Sequence, residues 1–421
     1  MKVELKLAHP RPVPGHPLAV QALLEIEGAA PEGEERLPMN LALVLDRSGS
    51  MTGEKLRNAR EAAHLLVRGL RPDDVVSVVA YDHEVETLAS GSRDAQGHAD
   101  ALRAIDALHP RGMTNLSGGW FRGRDLAQGQ LVRDGVNRVL LMTDGLANQG
   151  ITHRGALEEL CRDAAAHGIT TTTIGFGADY DEDLLRAMAE AGGGRSWYVE
   201  NPDQAPGVFE EEIEGLLNLA AQNVRIRLRT EGTARLRTLR HDYPVTHVPG
   251  GVDIAAGELY ALEPRLVLLD LELPHWDEGQ EVELATIEVA GMVLTPGGGV
   301  EERLVRLPIR MVVGEEPRVD AEIERTSVLL EAARARRKAV ELHERGDFAG
   351  ALCALSLARS AIADACLDDA ESRREAEDLE RVMRVAESAR DFDARDIKYM
   401  KQAAFDEARS NRRAKERYYR T

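Results

Sequence analysis

Asp46-Arg47-Ser48-Gly49-Ser50-Met51 sets one carboxylate and two hydroxyls at alternate positions. The short side chains and Gly49 let the loop curl so that all three face one point. Two further segments offer the same kind of atom: Thr114, within His109-Pro110-Arg111-Gly112-Met113-Thr114-Asn115, and Asp144, within Thr143-Asp144-Gly145. Oxygen donors without cysteine or histidine suit a hard cation such as Mg²⁺. That ion wants six oxygens near-octahedrally at about 2.0–2.1 Å and usually keeps some waters.

The surrounding pattern says what must position these donors. Leu41 to Leu45 is a continuous apolar run that ends in Asp46, and Val139 to Met142 is another that ends just before Asp144. Val75–Ala80, Ile169–Ile174 and Ser196–Val199 read as further strands. Glu54–Leu70, Ala101–Leu108, Leu157–Ala166, Asp183–Ala191 and Val208–Ala221 have helical spacing. Uninterrupted apolar strands alternating with helices predict a doubly wound, mainly parallel α/β sheet. In such sheets ligands bind at the carboxyl ends of strands, where Asp46 and Asp144 fall.

On both sides of this region the period drops to two. Val224, Ile226 and Leu228 alternate with Arg225, Arg227 and Arg229, with similar alternation at Val282–Leu284 and Leu304–Val312. Val3, Leu5 and Leu7, then Leu18 and Val20, alternate near the start without a local β partner. An unpaired edge is a liability, so the first strands are expected to join an antiparallel β-sandwich into which the α/β domain is inserted. From Asp320 the chain is rich in Ala, Arg and Glu, with breaks at Gly346-Asp347 and Leu367-Asp368-Asp369, which predicts a helical bundle. The expected division is residues 1–38 as strands of the sandwich, 39–221 as the α/β domain, 222–314 as the sandwich and 320–421 as the helical region.

The order Asp46, Ser48, Ser50, then Thr114, then Asp144 resembles the DxSxS…T…D pattern of the von Willebrand factor A-type (VWA) domain and its metal-ion-dependent adhesion site. Leu43-Val44-Leu45-Asp46-Arg47-Ser48-Gly49-Ser50-Met51, Gly112-Met113-Thr114-Asn115-Leu116, Leu141-Met142-Thr143-Asp144-Gly145 and Thr173-Ile174-Gly175-Phe176-Gly177 are similar to the phrases of that family, over roughly residues 39–221. The likeness is to bacterial, intracellular members with flanking β and helical regions. It implies that Ser48 and Ser50 hold Mg²⁺ or Mn²⁺ directly, that Thr114 does so in a ligand-ready state, and that Asp46 and Asp144 act mainly through waters. One position then stays open for an Asp or Glu carboxylate of a partner protein. It also implies that a partner could be an AAA+ ATPase, of chelatase or chaperone-like type, or a signalling protein. Leu146, where many relatives carry an acid, touches the specificity of the rim and not the donors.

Other readings of the same residues are weaker. Asp46 and Ser48 could merely cap the helix that follows, but Thr114 and Asp144 would then be in register by accident. A phosphoryl-accepting Asp46 would need a second carboxylate where Ser48 stands. A metal-assisted hydrolase needs a general base beside the metal water, and Asp144 is the only candidate. No Walker motif is present. The expectation is a binding module and not an enzyme. The net charge of −19, with 21 basic against 22 acidic residues from Asp320 on, speaks against nucleic acid or an anionic membrane as partner. Cys161, Cys353 and Cys366 form no CxxC pair, and no run of 18 apolar residues occurs, so a cytoplasmic protein is expected.

Overall fold

In the computed structural model the chain is described over residues 1–29, 36–177, 180–199, 205–230, 234–261, 263–295, 299–314, 316–365, 369–389 and 391–409. Cys366, part of the Leu367-Asp368-Asp369 break and the residues beyond Arg409 lie outside these residues. The chain forms two compact units. One comprises Met1–Ala30, Ala220–Val293 and Glu301–Thr421, and the other Pro31–Leu219 with Leu294–Val300.

In chain order the elements begin with β1 (Lys2–Ala8) and β2 (Leu18–Glu27). The α/β region follows as β3 (Met39–Asp46), α1 (Glu54–Arg68), β4 (Val75–Tyr81), β5 (Val85–Ser92), α2 (Asp94–Asp106), α3 (Leu116–Gly129), β6 (Val136–Thr143), α4 (Arg154–Ala166), β7 (Ile169–Phe176), α5 (Glu182–Ala191), β8 (Gly193–Val199) and α6 (Ala205–Leu217). The chain then returns to β structure with β9 (Leu219–Arg229), β10 (Arg235–Leu239), β11 (Val245–Val248), β12 (Gly251–Tyr260), β13 (Arg265–Leu273), β14 (Glu281–Thr295) and β15 (Gly299–Val312). It ends in α7 (Ala321–Glu344), α8 (Phe348–Asp364), α9 (Ala370–Ala389) and α10 (Ala394–Ala408).

The α/β unit is a six-stranded sheet in the order β5-β4-β3-β6-β7-β8, parallel except for the edge pair β4–β5. Strands β3, β4, β6 and β7 are buried along their whole length, which is why they read as continuous apolar or threonine runs. Ala42, Val44, Val79 and Leu141 form a core with Leu116 and Trp120 of α3, Leu157 of α4 and Leu184 of α5. A Cβ on Gly123 would come within 2.4 Å of Val44 Cγ2, so glycine is what lets α3 lie this close to β3. Leu41, Leu43 and Leu45 point to the opposite face and are equally buried. There α6 is anchored by Glu212, whose carboxylate accepts from Arg138 Nη1 at 2.8 Å, Thr172 Oγ1 at 3.0 Å and Trp197 Nε1 at 2.9 Å. Burial works to raise the Glu212 carboxyl, but the Arg138 and Arg195 guanidiniums and these donors outweigh it and hold it below the usual range.

Several elements differ from the sequence expectation: the helix expected over Ala101–Leu108 already starts at Asp94. The helix expected over 208–221 stops at Leu217, and Leu219-Ala220-Ala221 already belong to β9. A short apolar run does not distinguish the two states by period alone. Strand β5 was not foreseen because it is a half-exposed edge without alternation.

In the second unit β1 and β2 do join the sandwich: one sheet runs β1-β2-β13-β10 and the other β11-β12-β9-β14-β15. β2 pairs antiparallel with β13 from Leu18↔Leu273 to Ile26↔Arg265. The core between the sheets takes Leu18, Val20, Leu24 and Ile26 from β2 and Val224, Ile226 and Leu228 from β9. Arg227 faces outward and grips Asp253 with two bonds of 2.7 and 2.8 Å. In β15 the inward side chains are Ile309 and Met311, whereas Leu304 and Val312 are exposed. Ala8, Leu23, Leu266 and Leu268, on the outer face of the first sheet, are covered by Ile323 and Leu330 of α7. Arg336 of α7 lies buried between Glu375 and Asp378 of α9, the latter at 2.7 Å. No described helix is long and apolar enough to cross a membrane.

Candidate functional site

Register explains how the site is assembled. In the parallel pair β3–β6, Leu45 lies beside Met142, so Asp46 and Thr143 end their strands side by side. The Thr143 hydroxyl donates to Asp46 Oδ2 at 2.5 Å, and the Ser48 N–H donates to Oδ1 at 2.7 Å. Gly49-Ser50-Met51 forms one tight turn that brings Ser50 Oγ to 3.0 Å from Ser48 Oγ. Ser50 Oγ in turn donates to Asp144 Oδ1 at 2.7 Å. The remaining oxygen of Asp144 accepts the Lys55 ammonium at 2.5 Å, from the first turn of α1.

The loop before α3 completes the rim. Gly49 N–H donates to Gly112 O at 3.1 Å, and Arg111 N–H to Arg47 O at 2.7 Å, which sews this loop to the end of β3. The Thr114 N–H donates to Asn148 Oδ1 at 3.0 Å, and the Asn148 N–H returns to Thr114 O at 3.3 Å. A Cβ on Gly145 would lie 3.3 Å from Thr114 Oγ1 and 3.5 Å from Ser50 Oγ. The space over Gly145 is therefore a cradle lined by two hydroxyls. All five residues singled out from the sequence, Asp46, Ser48, Ser50, Thr114 and Asp144, meet at this one place.

Asp46 and Asp144 are fully buried, and Ser48 and Thr114 nearly so, while Ser50 is exposed. Burial pushes the Asp46 carboxyl up to about 6, with the charge of Asp144 adding to it and the Thr143 and Ser48 bonds opposing it. Two desolvated carboxylates, three hydroxyls and an oxygen-lined cradle fit a hard divalent cation, which would relieve that electrostatic cost.

Several neighbours were not legible as site residues. Asp82, at the end of β4, accepts Arg47 Nε and Arg111 Nε, both at 2.8 Å on Oδ2. Burial works to raise its carboxyl, but the Glu84 N–H and the two guanidiniums outweigh it and hold it below the usual range. Arg47 also reaches Glu86 at 2.7 Å, so its charge is directed along the sheet edge. Asp82, His83 and Glu84 bring ligand atoms within 4.8 Å of one another, but Asp82 is committed to the two arginines. Gly112 has φ +71°, and a Cβ there would meet His83 Nδ1 at 2.1 Å. The sequence signal for these contacts was only the proximity of charged residues to strand ends. Cys161 is buried and its thiol pushed up to about 12 by burial, which leaves it inert.

The chain matches the von Willebrand factor type A domain over residues 40–211. It is related to two bacterial proteins whose own roles are uncharacterized. It is 29% identical to sll0103 of Synechocystis sp. over 80% of this chain and 82% of that one. It is 30% identical to YfbK of Escherichia coli over 49% of this chain, spanning 37% of that protein's length. Among solved structures, a von Willebrand factor type A protein from Catenulispora acidiphila superposes with TM-score 0.70 at 18% identity, covering 91% of this chain and 89% of the other. That likeness covers the fold beyond the α/β unit. Domains of this type are typically adhesion or interaction modules, some with a metal site.

Proposed function

We propose that the chain is a metal-dependent protein-binding module whose rim of Asp46, Ser48, Ser50, Thr114 and Asp144 holds one Mg²⁺ or Mn²⁺ and receives an Asp or Glu side chain from a partner protein. The observation that carries this reading is the cradle over Gly145. The Thr114 and Ser50 hydroxyls converge there, backed by two buried carboxylates. A divalent ion held there supplies an electrophilic position for a carboxylate oxygen. The chain's residues do the rest. Thr143 and the Ser48 N–H orient Asp46, and Ser50 and Lys55 orient Asp144. Both carboxylates are thus held in place by the chain itself, and Ser50 is the exposed member of the five. The reading favours binding over catalysis because both site carboxylates are already engaged by protein donors and none is placed as a general base.

Calorimetry of the full chain with Mn²⁺ tests the site: one ion per chain is expected, with most of the affinity lost in Asp46→Ala. Equal affinity in the two proteins would refute it. A pull-down from native cell extract tests the partner. Specific partners should be lost with EDTA and with Thr114→Ala. Partners that survive both would mean that docking occurs elsewhere.

A further inference from the structure

Asp144 is held from two sides that differ in charge. Its Oδ1 accepts a neutral hydroxyl, and its Oδ2 accepts the Lys55 ammonium at 2.5 Å. Lys55 is placed there by the chain's path out of the site. Gly53, at φ +86°, turns the backbone, and α1 starts at Glu54 with Lys55 in its first turn. A Cβ on Gly177, after β7, would lie 3.6 Å from Lys55 Cε, so the side chain runs close past this backbone. The Lys55 side chain is 27% exposed and Asp144 is fully buried. The nearby guanidiniums of Arg47 and Arg111 are directed to Asp82, Glu84 and Glu86. Lys55 therefore brings its positive charge directly to the five-oxygen rim.

We propose that Lys55 is a tethered cation that tunes this site, weakening its hold on a divalent ion and strengthening the pull of the loaded site on a partner carboxylate. This rests on the metal-binding reading above. Among the described residues, Asp46 and Asp144 bring two negative charges and Lys55 one positive. Lys55 thus makes the surroundings of a loaded ion one unit more positive than they would be without it. The same ammonium repels the incoming metal and adds to the attraction for an anion. At the few-ångström separations of a shared carboxylate, one unit charge in a largely water-like dielectric amounts to roughly tenfold in affinity for a divalent ion. A lysine with a merely structural role could not produce these two opposite effects. Its loss would loosen the rim and weaken both steps.

The test uses the full chain as wild type, Lys55→Met, Lys55→Arg and Asp46→Ala, at fixed ionic strength. Free Mn²⁺ is counted by electron paramagnetic resonance during titration. Lys55→Met should bind Mn²⁺ about tenfold tighter than wild type, and Lys55→Arg close to wild type. Acetate then serves as the carboxylate probe on the Mn²⁺-loaded proteins, read by the fall in water-proton relaxation as it displaces bound water. Acetate should bind several-fold more weakly to loaded Lys55→Met than to wild type. If wild type binds Mn²⁺ and Lys55→Met binds it equally or more weakly, or if acetate binding is unchanged, the proposal is overturned and the metal reading stands. Binding by Lys55→Met but not wild type would support the tethered cation and overturn the metal reading for the native chain. Binding by neither overturns both.

Discussion

Replacing Asp46 by asparagine should make the metal-free protein more stable while abolishing its affinity for the ion. Burial lifts the Asp46 carboxyl from an ordinary 3.8 to about 6 in the folded state. In the unfolded chain it returns to its ordinary value. Between these limits the folded protein holds a proton that the unfolded chain has released, so stability falls as pH rises through this window. Below 3.8 the cost is absent, and above about 6 it is fully present. A shift of about two units corresponds to about 3 kcal/mol. Asparagine resembles the protonated acid: its Oδ1 still accepts the Ser48 N–H, and the Thr143 hydroxyl can turn to accept from its amide. Imperfect bonding should return about 1 kcal/mol of the gain. The expected net stabilisation is about 2 kcal/mol at pH 8, shrinking towards zero or below at pH 4. Urea denaturation in EDTA at both values measures it. Adding Mn²⁺ at about 100 times its dissociation constant should stabilise wild type by about 2.7 kcal/mol and leave Asp46→Asn unmoved. A mutant no more stable than wild type at pH 8, or a difference independent of pH, would refute the reasoning.

Three further outcomes are expected. Arg336→Met should cost about 3–5 kcal/mol in urea, because it removes the buried guanidinium that the Glu375 and Asp378 carboxylates share, and a loss below about 1 kcal/mol would show that their other partners, such as Arg381 and Tyr399 at Asp378, suffice. Gly112→Ala should lower Mn²⁺ affinity and cost about 1–2 kcal/mol, since its backbone is left-handed and its Cβ would strike His83, whereas unaltered calorimetry would show that the loop adapts freely. Deleting residues 1–27 removes β1 and β2 and exposes the edge of β13, so aggregation on size-exclusion chromatography is expected, and a monodisperse protein with the same thermal midpoint would contradict it.

What was legible in the sequence follows from how each feature is encoded. The five oxygens could be read because each sits one or two positions past an apolar run or within a glycine-bearing loop, so local pattern alone places it at a strand end. The α/β strands were legible for the same reason, being buried on both faces. Lys55 was not, because a lysine in the first turn of an amphipathic helix is ordinarily solvated. Only the parallel register that sets Asp46 beside Thr143 shows Asp144 turning towards α1. The arginines at Asp82 were hidden likewise, since they lie 35 and 29 residues away from it in the chain.

The outer surface of the first sandwich sheet shows the same limit from the side of packing. Period-two alternation in β1 and β2 identified one inward face, which requires only a facing sheet. Leu266-Val267-Leu268-Leu269 in β13 has no such alternation, and its two extra leucines need a second cover. That cover is α7, whose Ile323 and Leu330 close over Leu23, Leu266 and Leu268. Its start is fixed by Asp320, which accepts the Glu322 and Ile323 N–H groups, and by the Lys6–Glu322 pair to β1. At the far end Asp242 N–H donates to Ala408 O at 3.0 Å, and the Tyr243 hydroxyl and Arg265 both donate to Arg409 O. The helices after Asp320 are thus held to the sandwich at both ends, and they share a core with it. A helix-rich composition predicts a bundle that packs on itself. The doubly apolar run in β13 is the sequence feature that demands that one of those helices also roof the sheet.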